Sequence, residues 1–361
     1  MLKILDPKNE YACDYVFPKV ISASWTKRFY SPGSFSIVLP GNAEGTQYLQ
    51  KNKIILHEGY AGIIKYRNAA NNRVEIRGYD LKGLCSQRMV VPPFVYMEVP
   101  TVESGYDRIR GTPEEVIRHY ADKHMINTTD PARKIPDLSL AKKHEYPGEL
   151  VWQAKFTNLA EELESICTYT QLGYEITFDE QEKAFVFDVL QGADRTGSDT
   201  HYGLVTFSEG YHNVSEIAYT EDALSEKNVC FVAGTGEEEQ QFVYEAYNKN
   251  YSGIERCEGY TTASGDDADY ADEVESKGLA YVDENKTKES VDAKANSKLV
   301  YKSDWYLGDY VTVVADCFGE RMELKKQITE VTETFEHSSH VVTPVFGEKK
   351  QSTIKKIMQR S

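Results

Sequence analysis

Residues 24–40 read SWTKRFYSPGSFSIVLP, which is the pattern of two β-strands joined by a tight turn. The first segment is rich in aromatic residues, and the second, SFSIVLP, alternates polar and apolar side chains with a period of two. That period is typical of a strand with one buried face. Pro32 and Gly33 supply the turn. The stretch therefore predicts a β-hairpin close to the start of the chain.

Further strand patterns on both sides of this hairpin predict a compact antiparallel β domain, a barrel or a sandwich, over residues 1–90. The segments GIIKYRNAA and NRVEIRGYD meet at an Asn-rich tip, and Asn tolerates the left-handed backbone of a short hairpin turn. Aromatic residues make up 12% of the 361 residues, and 25 of them are tyrosines. This composition suits strands better than a helical bundle.

Residues 91–200 predict a smaller α+β domain. Residues 112–115 read Thr-Pro-Glu-Glu, a capping box with Pro at the first helical position, and they predict a short amphipathic helix. A second helix is expected at NLAEELESICTYTQLG, with Asn158 as its N-cap and Gly173 as its end. The alternating segment YEITFDEQEKAFVFDVLQG then predicts a hairpin.

Residues 201–347 predict a second β domain that carries an acidic insert at about 237–300. Residues 221–290 hold 18 acidic and 6 basic residues, so most of the charge imbalance of the chain lies there. We interpret this part as solvated helix or loop, with DDADYADEVESKG and KESVDAKANSKLV as candidate helices. Residues 348–361 form a basic tail with five basic residues and one acidic residue. The expected fold is therefore mainly β with α+β elements.

The overall composition argues against several classes of protein. Lys and Arg total 41 against 57 Asp and Glu, a net charge of −16, which disfavours a surface that grips nucleic acid. The six cysteines show no CxxC spacing, as expected for reduced thiols in a protein that folds in the cytoplasm. We expect neither a signal peptide nor a membrane span, because no segment approaches 18 consecutive apolar residues.

The histidines and acidic runs do not form a recognisable metal site. His119 and His124 are five residues apart, which would place them on different faces of a helix, and His337 and His340 lie in the turn EHSSH. The run DDADYAD lacks the ligand spacing of a calcium loop, so a solvated loop is the simpler interpretation, with structural calcium as the alternative. We predict no metal-binding residues.

Catalytic and cofactor motifs are also missing from the sequence. GTGEEEQQ begins like a phosphate-binding loop, but its three glutamates would repel phosphate. The pairs Glu114/Glu115 and Glu161/Glu162 lie in first turns of predicted helices, where they complement the helix dipole. Trp25, Phe29 and Phe35 are expected in a core rather than on a ligand platform. We predict no catalytic and no cofactor-binding residues, although two acids brought together by folding could still form a glycosidase site.

Several collinear segments resemble the siphophage Gp37-like (ReqiPepy6-type) tail protein family, which is related to phage tail-hub and baseplate hub proteins. In chain order these segments are SWTKRFY (24–30), GSFSIVLP (33–40), GIIKY (62–66), VEIRGYDLKGLCSQR (74–88), NLAEELESIC (158–167), LGYEITF (172–178), FDVLQGADRT (187–196), YLGDYVTV (306–313), ITEVTETF (328–335) and VTPVFG (342–347). The similarity covers nearly the whole chain.

The resemblance implies a virion structural protein at the distal end of a long tail, with no catalysis and no cofactor. It implies a ring-shaped homotrimer in which each chain supplies two tube-like β-barrel domains and DNA passes through the lumen without specific binding. Expected partners are the distal tail protein, the tail tube proteins and tail fibre or receptor-binding proteins. The expected location is the virion tail, assembled in the host bacterial cytoplasm.

Two alternative functions remain open at this point. One is a tail-associated glycan hydrolase that uses a carboxylate pair assembled by the fold. The other is a carbohydrate-binding module that uses exposed Tyr and Trp side chains. The positions of the acidic and aromatic side chains in the folded chain decide between these and a structural hub.

Overall fold

A computed structural model describes residues 1–92, 105–199, 201–234, 243–263, 270–296, 298–336 and 339–347. Strands dominate these ranges, and the predicted mainly β class is confirmed. Within them, no helix has the length and apolar character needed to cross a membrane.

The elements follow one another in three groups along the chain. The first group is β1 (Leu2–Asp6), β2 (Ala12–Phe17), β3 (Ser22–Arg28), β4 (Ser34–Pro40), β5 (Ile54–His57), β6 (Tyr60–Ala70) and β7 (Arg73–Asp80). The second is β8 (Asp107–Gly111), α1 (Pro113–Ala121), β9 (Leu138–Leu140), β10 (Leu150–Ala154), α2 (Leu159–Thr170), β11 (Leu172–Asp179) and β12 (Ala184–Gln191). The third is β13 (Thr206–Ser208), β14 (Val214–Asp222), β15 (Val229–Ala233), β16 (Val243–Tyr247), β17 (Glu258–Thr262), α3 (Tyr270–Glu284), β18 (Lys288–Ala295), β19 (Tyr310–Cys317), β20 (Glu320–Glu336) and β21 (Ser339–Gly347).

One sheet runs through both ends of the chain. Its strand order is β14-β18-β21-β20-β3-β4-β7-β6-β5-β1-β2, and β19 joins it through β20 and pairs in parallel with β13. The two predicted β regions meet where β20 pairs with β3, from Glu330 opposite Arg28 to Glu336 opposite Ser22. The strands of the described ranges form this open path and not a closed barrel. The proposed domain boundaries remain predictions.

The hairpin predicted at residues 24–40 is confirmed as β3 and β4. Trp25 lies opposite Phe35, and both rings are buried. The connecting turn is anchored to the end of β7, because the Gly33 N–H donates to Asp80 Oδ1 at 3.0 Å. A Cβ at Gly33 would lie 2.2 Å from the carbonyl oxygen of Thr26, so the turn requires glycine at this position.

The Asn-rich hairpin tip is also confirmed. Asn71 and Asn72 join β6 to β7 with φ angles of 51° and 56°. These left-handed values are those of a two-residue turn whose twist matches the flanking strands.

The first predicted helix is confirmed as α1, and the predicted end of the second helix is wrong. Thr112 and Glu115 form the capping box of α1, with both hydrogen bonds present. Helix α2 ends at Thr170, and Gln171 takes the left-handed conformation at its C-cap. Gly173 instead lies in β11, where a Cβ would come within 2.6 Å of the Phe29 ring. Close packing, not helix termination, explains this glycine.

One of the two helices predicted in the acidic insert is a strand. KESVDAKANSKLV contains β18, which pairs with β14 and β21 and buries Val291 and Ala293 at alternate positions. Pairing on both sides determines its conformation. The other candidate, DDADYADEVESKG, is helical as α3 from Tyr270, and residues 266–269 lie outside the described ranges. Strands β15, β16 and β17 form a separate small sheet against α3.

A buried lysine connects the first β region to the α+β elements. Lys82 is 1% exposed, and its Nζ donates to the carbonyl oxygens of Arg28 and Phe29 at 2.6 and 3.1 Å. The same amine lies 4.4 Å from the centre of the Tyr174 ring in β11. Burial lowers the pKa of Lys82 to about 8. These contacts hold the turn after β3 against the sheet of β11 and β12.

We expect Trp25→Ala to destabilise the chain by about 3–5 kcal/mol, since it removes a fully buried ring from the core beside the turn. The ring packs on Tyr60 and Phe35, and its Nε1 donates to His57 Nδ1 at 3.3 Å. Denaturant-induced unfolding measures the change. The control is Phe318→Ala at an 84% exposed ring, and an equal loss in both variants would contradict the prediction.

Candidate functional site

His119 and His124 meet on one carboxylate, contrary to the expectation that they lie on different helical faces. Their Nε2 atoms lie 2.9 Å from Oδ1 and Oδ2 of Asp107, and Lys123 donates to Oδ1 at 2.7 Å. Helix α1 continues into a π-helical turn at Asp122–Ile126, which brings residues five positions apart onto one side. The prediction from sequence assumed an ideal α-helix, in which residues five positions apart lie on different faces. It therefore did not anticipate this cluster.

The Asp107 cluster is an ion-pair network. Burial alone would raise the pKa of Asp107, but the hydrogen bonds from His119, His124 and Lys123 hold it well below its usual range. Burial lowers the pKa of His124, which is 1% exposed, against the opposing effect of Asp107. The network fastens β8 to the end of α1. Across the described ranges, no group of three or more His, Cys, Asp or Glu side chains could hold a metal ion.

The carboxylates in the first turns of the helices have structural partners. Glu114 is fully buried and accepts the backbone N–H groups of residues 144, 145 and 146. Glu162 accepts Trp152 Nε1 at 2.6 Å and the Thr157 hydroxyl at 2.7 Å. These bonds tie each helix to a neighbouring segment, in addition to the expected interaction with the helix dipole.

The aromatic residues singled out in the sequence belong to the core, as expected. Trp25, Phe29 and Phe35 are at most 3% exposed. The other two tryptophans, Trp152 and Trp305, are also buried. A ligand platform built on an exposed tryptophan is therefore excluded, because all three tryptophans lie in described parts of the chain.

Two sequence candidates fall largely outside the described ranges. In GTGEEEQQ, residues 235–241 lie outside, and in DDADYAD residues 266–269 do. His337 also lies outside, whereas His340 is the second residue of β21. His340 stacks on Phe335, and its Nε2 lies 2.7 Å from Glu333 Oε2.

A polar cluster around the buried carboxylate of Glu333 lies on the core side of the β20–β3 pairing, and its partners Lys302 and His340 are about half exposed. Glu333 is 5% exposed, and its second oxygen accepts Lys302 Nζ at 3.1 Å. Burial raises the pKa of Glu333, and the hydrogen bond with His340 opposes that rise. Burial also lowers the pKa of the nearby His57 to about 4, which suits a neutral ring that accepts the Trp25 N–H. Side chains from both ends of the chain thus share one polar cluster.

A cleft of about 980 Å³ lies where the first β region, the β11–β12 hairpin and residues 301–309 meet. Five of the lysines and arginines that line it have carboxylate partners: Lys3 with Glu180, Lys27 with Asp80, Arg28 with Glu330, Arg195 with Asp309, and Lys302 with Glu333. The sixth, Lys82, donates to backbone carbonyl oxygens. We assign no ligand to this cleft, because its cations are already bound by groups of the protein.

On strands β3, β4, β20 and β21, the face that points away from the core is lined by small hydroxyl side chains. We call it the hydroxyl face. It comprises Ser22, Ser24, Thr26, Ser34, Ser36, Thr332, Thr334 and Thr343. Thr343, Thr332, Thr26 and Ser34 lie opposite one another in a row across β21, β20, β3 and β4. This row of hydroxyl side chains therefore crosses the β20–β3 pairing without a break.

The hydroxyl face carries one cation within its paired segments and borders a charged strand. Thr26 and Thr332 bond to each other across the β20–β3 pairing at 2.9 Å. In Ser22–Arg28, Ser34–Pro40 and residues 330–336, Arg28 is the one cation on this face, and its Nε lies 2.6 Å from Glu330 Oε2. On β7, Arg77, Glu75 and Arg73 border the face opposite Ser36, Val38 and Pro40. The helices pack elsewhere: α1 on β8, β10 and β12, α2 on β11, and α3 on β10 and the small sheet.

The path of the large sheet ends at β2 on one side and at β14 on the other. In the described ranges β2 pairs with β1 alone, and β14 pairs with β18 alone. In the described ranges β2 and β14 therefore each have one side without a strand partner, and β14 also packs against β13 and β19.

Comparisons with known proteins agree with this architecture. The sequence profile of the Siphovirus ReqiPepy6 Gp37-like protein family matches residues 1–348. The chain belongs to this family. No curated protein sequence matches the chain.

Two solved structures share the fold of this family member. A prophage MuSo2 43 kDa tail protein from Shewanella oneidensis is similar with a TM-score of 0.57 and 9% identity, covering 96% of this chain and 98% of that one. The tail protein from Neisseria meningitidis MC58 is similar with a TM-score of 0.52 and 12% identity, covering 96% of both chains. The fold is thus that of phage tail proteins over almost the entire chain.

We expect Asp107→Ala to destabilise the chain by about 3–5 kcal/mol, because it leaves the buried His124 without its hydrogen-bond partner and Lys123 without its counter-charge. The unfolding temperature of the unaltered protein should not respond to Zn²⁺ or to a chelator. Thermal unfolding measures both effects.

The matched control is Asp199→Ala, which breaks the exposed Asp–His contact with His201 and should change little. Stabilisation by Zn²⁺ that is lost in Asp107→Ala would show that the cluster is a metal site instead.

Proposed function

We propose that the chain is a structural hub of a long-tailed phage or prophage tail, with three copies closed into a ring at the distal end of the tail. The observation that carries this proposal is the edge-to-edge pairing of β20 with β3, which makes one continuous sheet from two β regions. In this proposal, residues 1–90 and 201–347 form the two tube-like domains, and residues 91–200 form the α+β domain beside them.

In this proposal, contacts between chains in the ring use the same edge-to-edge strand pairing that joins β20 to β3 within one chain. The β20–β3 pairing adds one β region to the next by backbone hydrogen bonds. In the described ranges β2 ends the sheet with one side unpaired, whereas β14 packs against β13 and β19. Repeating such an addition between copies gives a head-to-tail interface, which forms a closed ring when the rotation per copy is right. Three chains with two β regions each would present six similar units around the ring.

The hydroxyl face is our candidate for the wall of the central channel. DNA binds proteins mainly through cations that neutralise its phosphates, and the hydroxyl face carries a single arginine on β3, β4 and residues 330–336 of β20, which is already paired. Arg77 at its border on β7 is paired with Glu75. The net charge of −16 adds a general repulsion between the protein and a polyanion. DNA could therefore pass without being held.

The proposed role needs no catalysis. The carboxylates singled out in the sequence are held by backbone amides, by tryptophan or by cations, and the cations of the cleft are already bound by protein groups. The burial of all three tryptophans removes the tryptophan platform of a carbohydrate-binding module and leaves only exposed tyrosines for such a role. The proposed partners are the tail tube and distal tail proteins on one side and fibre or receptor-binding proteins on the other, in the assembled virion tail.

Solution mass tests the ring directly. We expect a species of three chains of 41.0 kDa each, and electron microscopy should show it as a ring with a central hole. Multi-angle light scattering at micromolar concentration measures the mass. A monomer under these conditions would contradict the proposed hub.

Cations added to the hydroxyl face test its assignment to the channel. The double variant Ser36→Lys, Thr334→Lys should keep the mass of the ring and should retain double-stranded DNA at low salt, unlike the unaltered ring, because the new amines meet phosphates. Mobility shift at increasing salt measures the retention. The control is Thr262→Lys at an exposed site on β17, and equal retention by the control would remove the hydroxyl face from the channel.

A further inference from the structure

The small sheet of the acidic insert has one covered face and one open face. Strands β16, β15 and β17 pair in that order, and Cys230, Val232 and Ala246 face α3. Helix α3 contacts all three strands and also packs on α2 and β10. The insert therefore has its own small core and is attached to the rest of the chain through α3.

The open face carries apolar and aromatic side chains, and we call it the insert face. It comprises Phe231, Val243, Tyr247 and Tyr260, of which the last three are 52%, 43% and 59% exposed. Arg256 lies over the Phe231 ring and bonds to Glu245 and Glu258, so it ties β16 to β17 across the face. Exposed tyrosines with an arginine and a charged rim are typical of protein-binding surfaces.

The chain leaves the large sheet at the base of this insert. Gly347, the last residue of β21, lies opposite Ser290 of β18. Two residues earlier on β18, Lys288 lies opposite Asp222 of β14. In the structure the insert is therefore the connection between these two strands, residues 223–287, rather than the predicted 237–300. Residues 348–361 therefore start beside the point where the insert begins and ends.

Residues 348–361 complement the insert in charge and in apolar character. Their sequence, EKKQSTIKKIMQRS, holds five basic residues and one acidic residue, together with Ile354, Ile357 and Met358. Residues 223–287 hold 15 acidic and 5 basic residues. Opposite charges on the two segments favour their encounter, and the three apolar side chains match the exposed rings and Val243.

The insert face lies within reach of this segment. The Lys227 N–H donates to the Asn285 carbonyl oxygen, which places the start of β15 next to the end of α3. Asn285 is five residues from Ser290, a span of at most ~18 Å, whereas 14 extended residues span up to ~50 Å. The same chain can therefore bring its basic segment to its own insert.

We propose that residues 348–361 dock on the insert face of the same chain, with their apolar side chains on Tyr247 and Tyr260 and their lysines beside Glu245, Glu255 and Glu258. The docked segment covers apolar surface that the fold otherwise leaves open. This contact lies within one chain, so it does not depend on ring formation.

Zero-length carbodiimide cross-linking of the full chain, followed by mass spectrometry, tests the proposal. We expect Lys355 and Lys356 to link to the glutamates of the insert face. The links should fall about tenfold in the double variant Tyr247→Ser, Tyr260→Ser, as expected for loss of two interface aromatics. The matched control is Tyr211→Ser at a ring that is 61% exposed elsewhere, and it should leave the links unchanged.

Two further measurements test whether residues 348–361 cover the insert face and whether they bind it within the same chain. Lys355→Glu, Lys356→Glu changes only the segment and should open the insert face, seen as faster tyrosine modification at Tyr247 and Tyr260 with an unaltered unfolding temperature. A mixture of ¹⁵N-labelled and unlabelled chains should give links within one isotope only. Any of three results would overturn the proposal. These are links to Glu320 and Glu323 instead, links that the tyrosine changes do not reduce, and links between a labelled and an unlabelled chain.

Discussion

The pairing of β20 with β3 is the contact on which the rest of the architecture depends. It joins residues more than 300 positions apart, as in the bond between Thr26 and Thr332, which are 306 positions apart. A slip of one residue would move every side chain of one strand to the other face of the sheet. The register therefore decides at once which side chains form the core and which form the hydroxyl face.

Contacts on both faces of the sheet link the two β regions at this pairing. On the hydroxyl face, Arg28 of β3 and Glu330 of β20 form an ion pair that depends directly on the register. On the core side, Glu333 lies opposite Trp25 and is bound by Lys302 and His340, which belong to the same β region as Glu333. Lys302 Nζ also donates to the hydroxyl of Tyr60 on β6 at 2.7 Å, so this cluster contacts the first β region as well.

The similarity to other tail proteins at about 10% identity is understandable in these terms. The shared architecture requires alternation of side chains along strands, a few glycines where backbones or rings approach closely, and turns of defined handedness. Gly33, Gly173 and the Asn71–Asn72 tip are such positions here. Most other positions can change as long as the alternation is kept, since pleated strands specify inward and outward faces rather than particular residues.

The predictions that succeeded rest on local signals. The alternation in SFSIVLP, the Asn-rich tip and the Thr112–Glu115 capping box each act within a few residues, so the sequence alone indicates them. The predictions that failed depend on distant partners. Residues 288–295 have no strong local preference and become a strand because β14 and β21 pair with them on both sides. Gly173 was predicted to end helix α2, but glycine is required there because the ring of Phe29 packs too closely to leave room for a Cβ.

The sequence by itself determined the mainly β class, the positions of most strands, the acidic insert and the lack of a recognisable catalytic motif, because periodicity, turn residues and charge are local properties. Only the tertiary structure decided that both β regions share one sheet, that the hydroxyl side chains form one continuous face, and that His119, Lys123 and His124 converge on Asp107. Each of these depends on strand register or on the π-helical turn, which arise from contacts between segments and leave no periodic signal in the sequence.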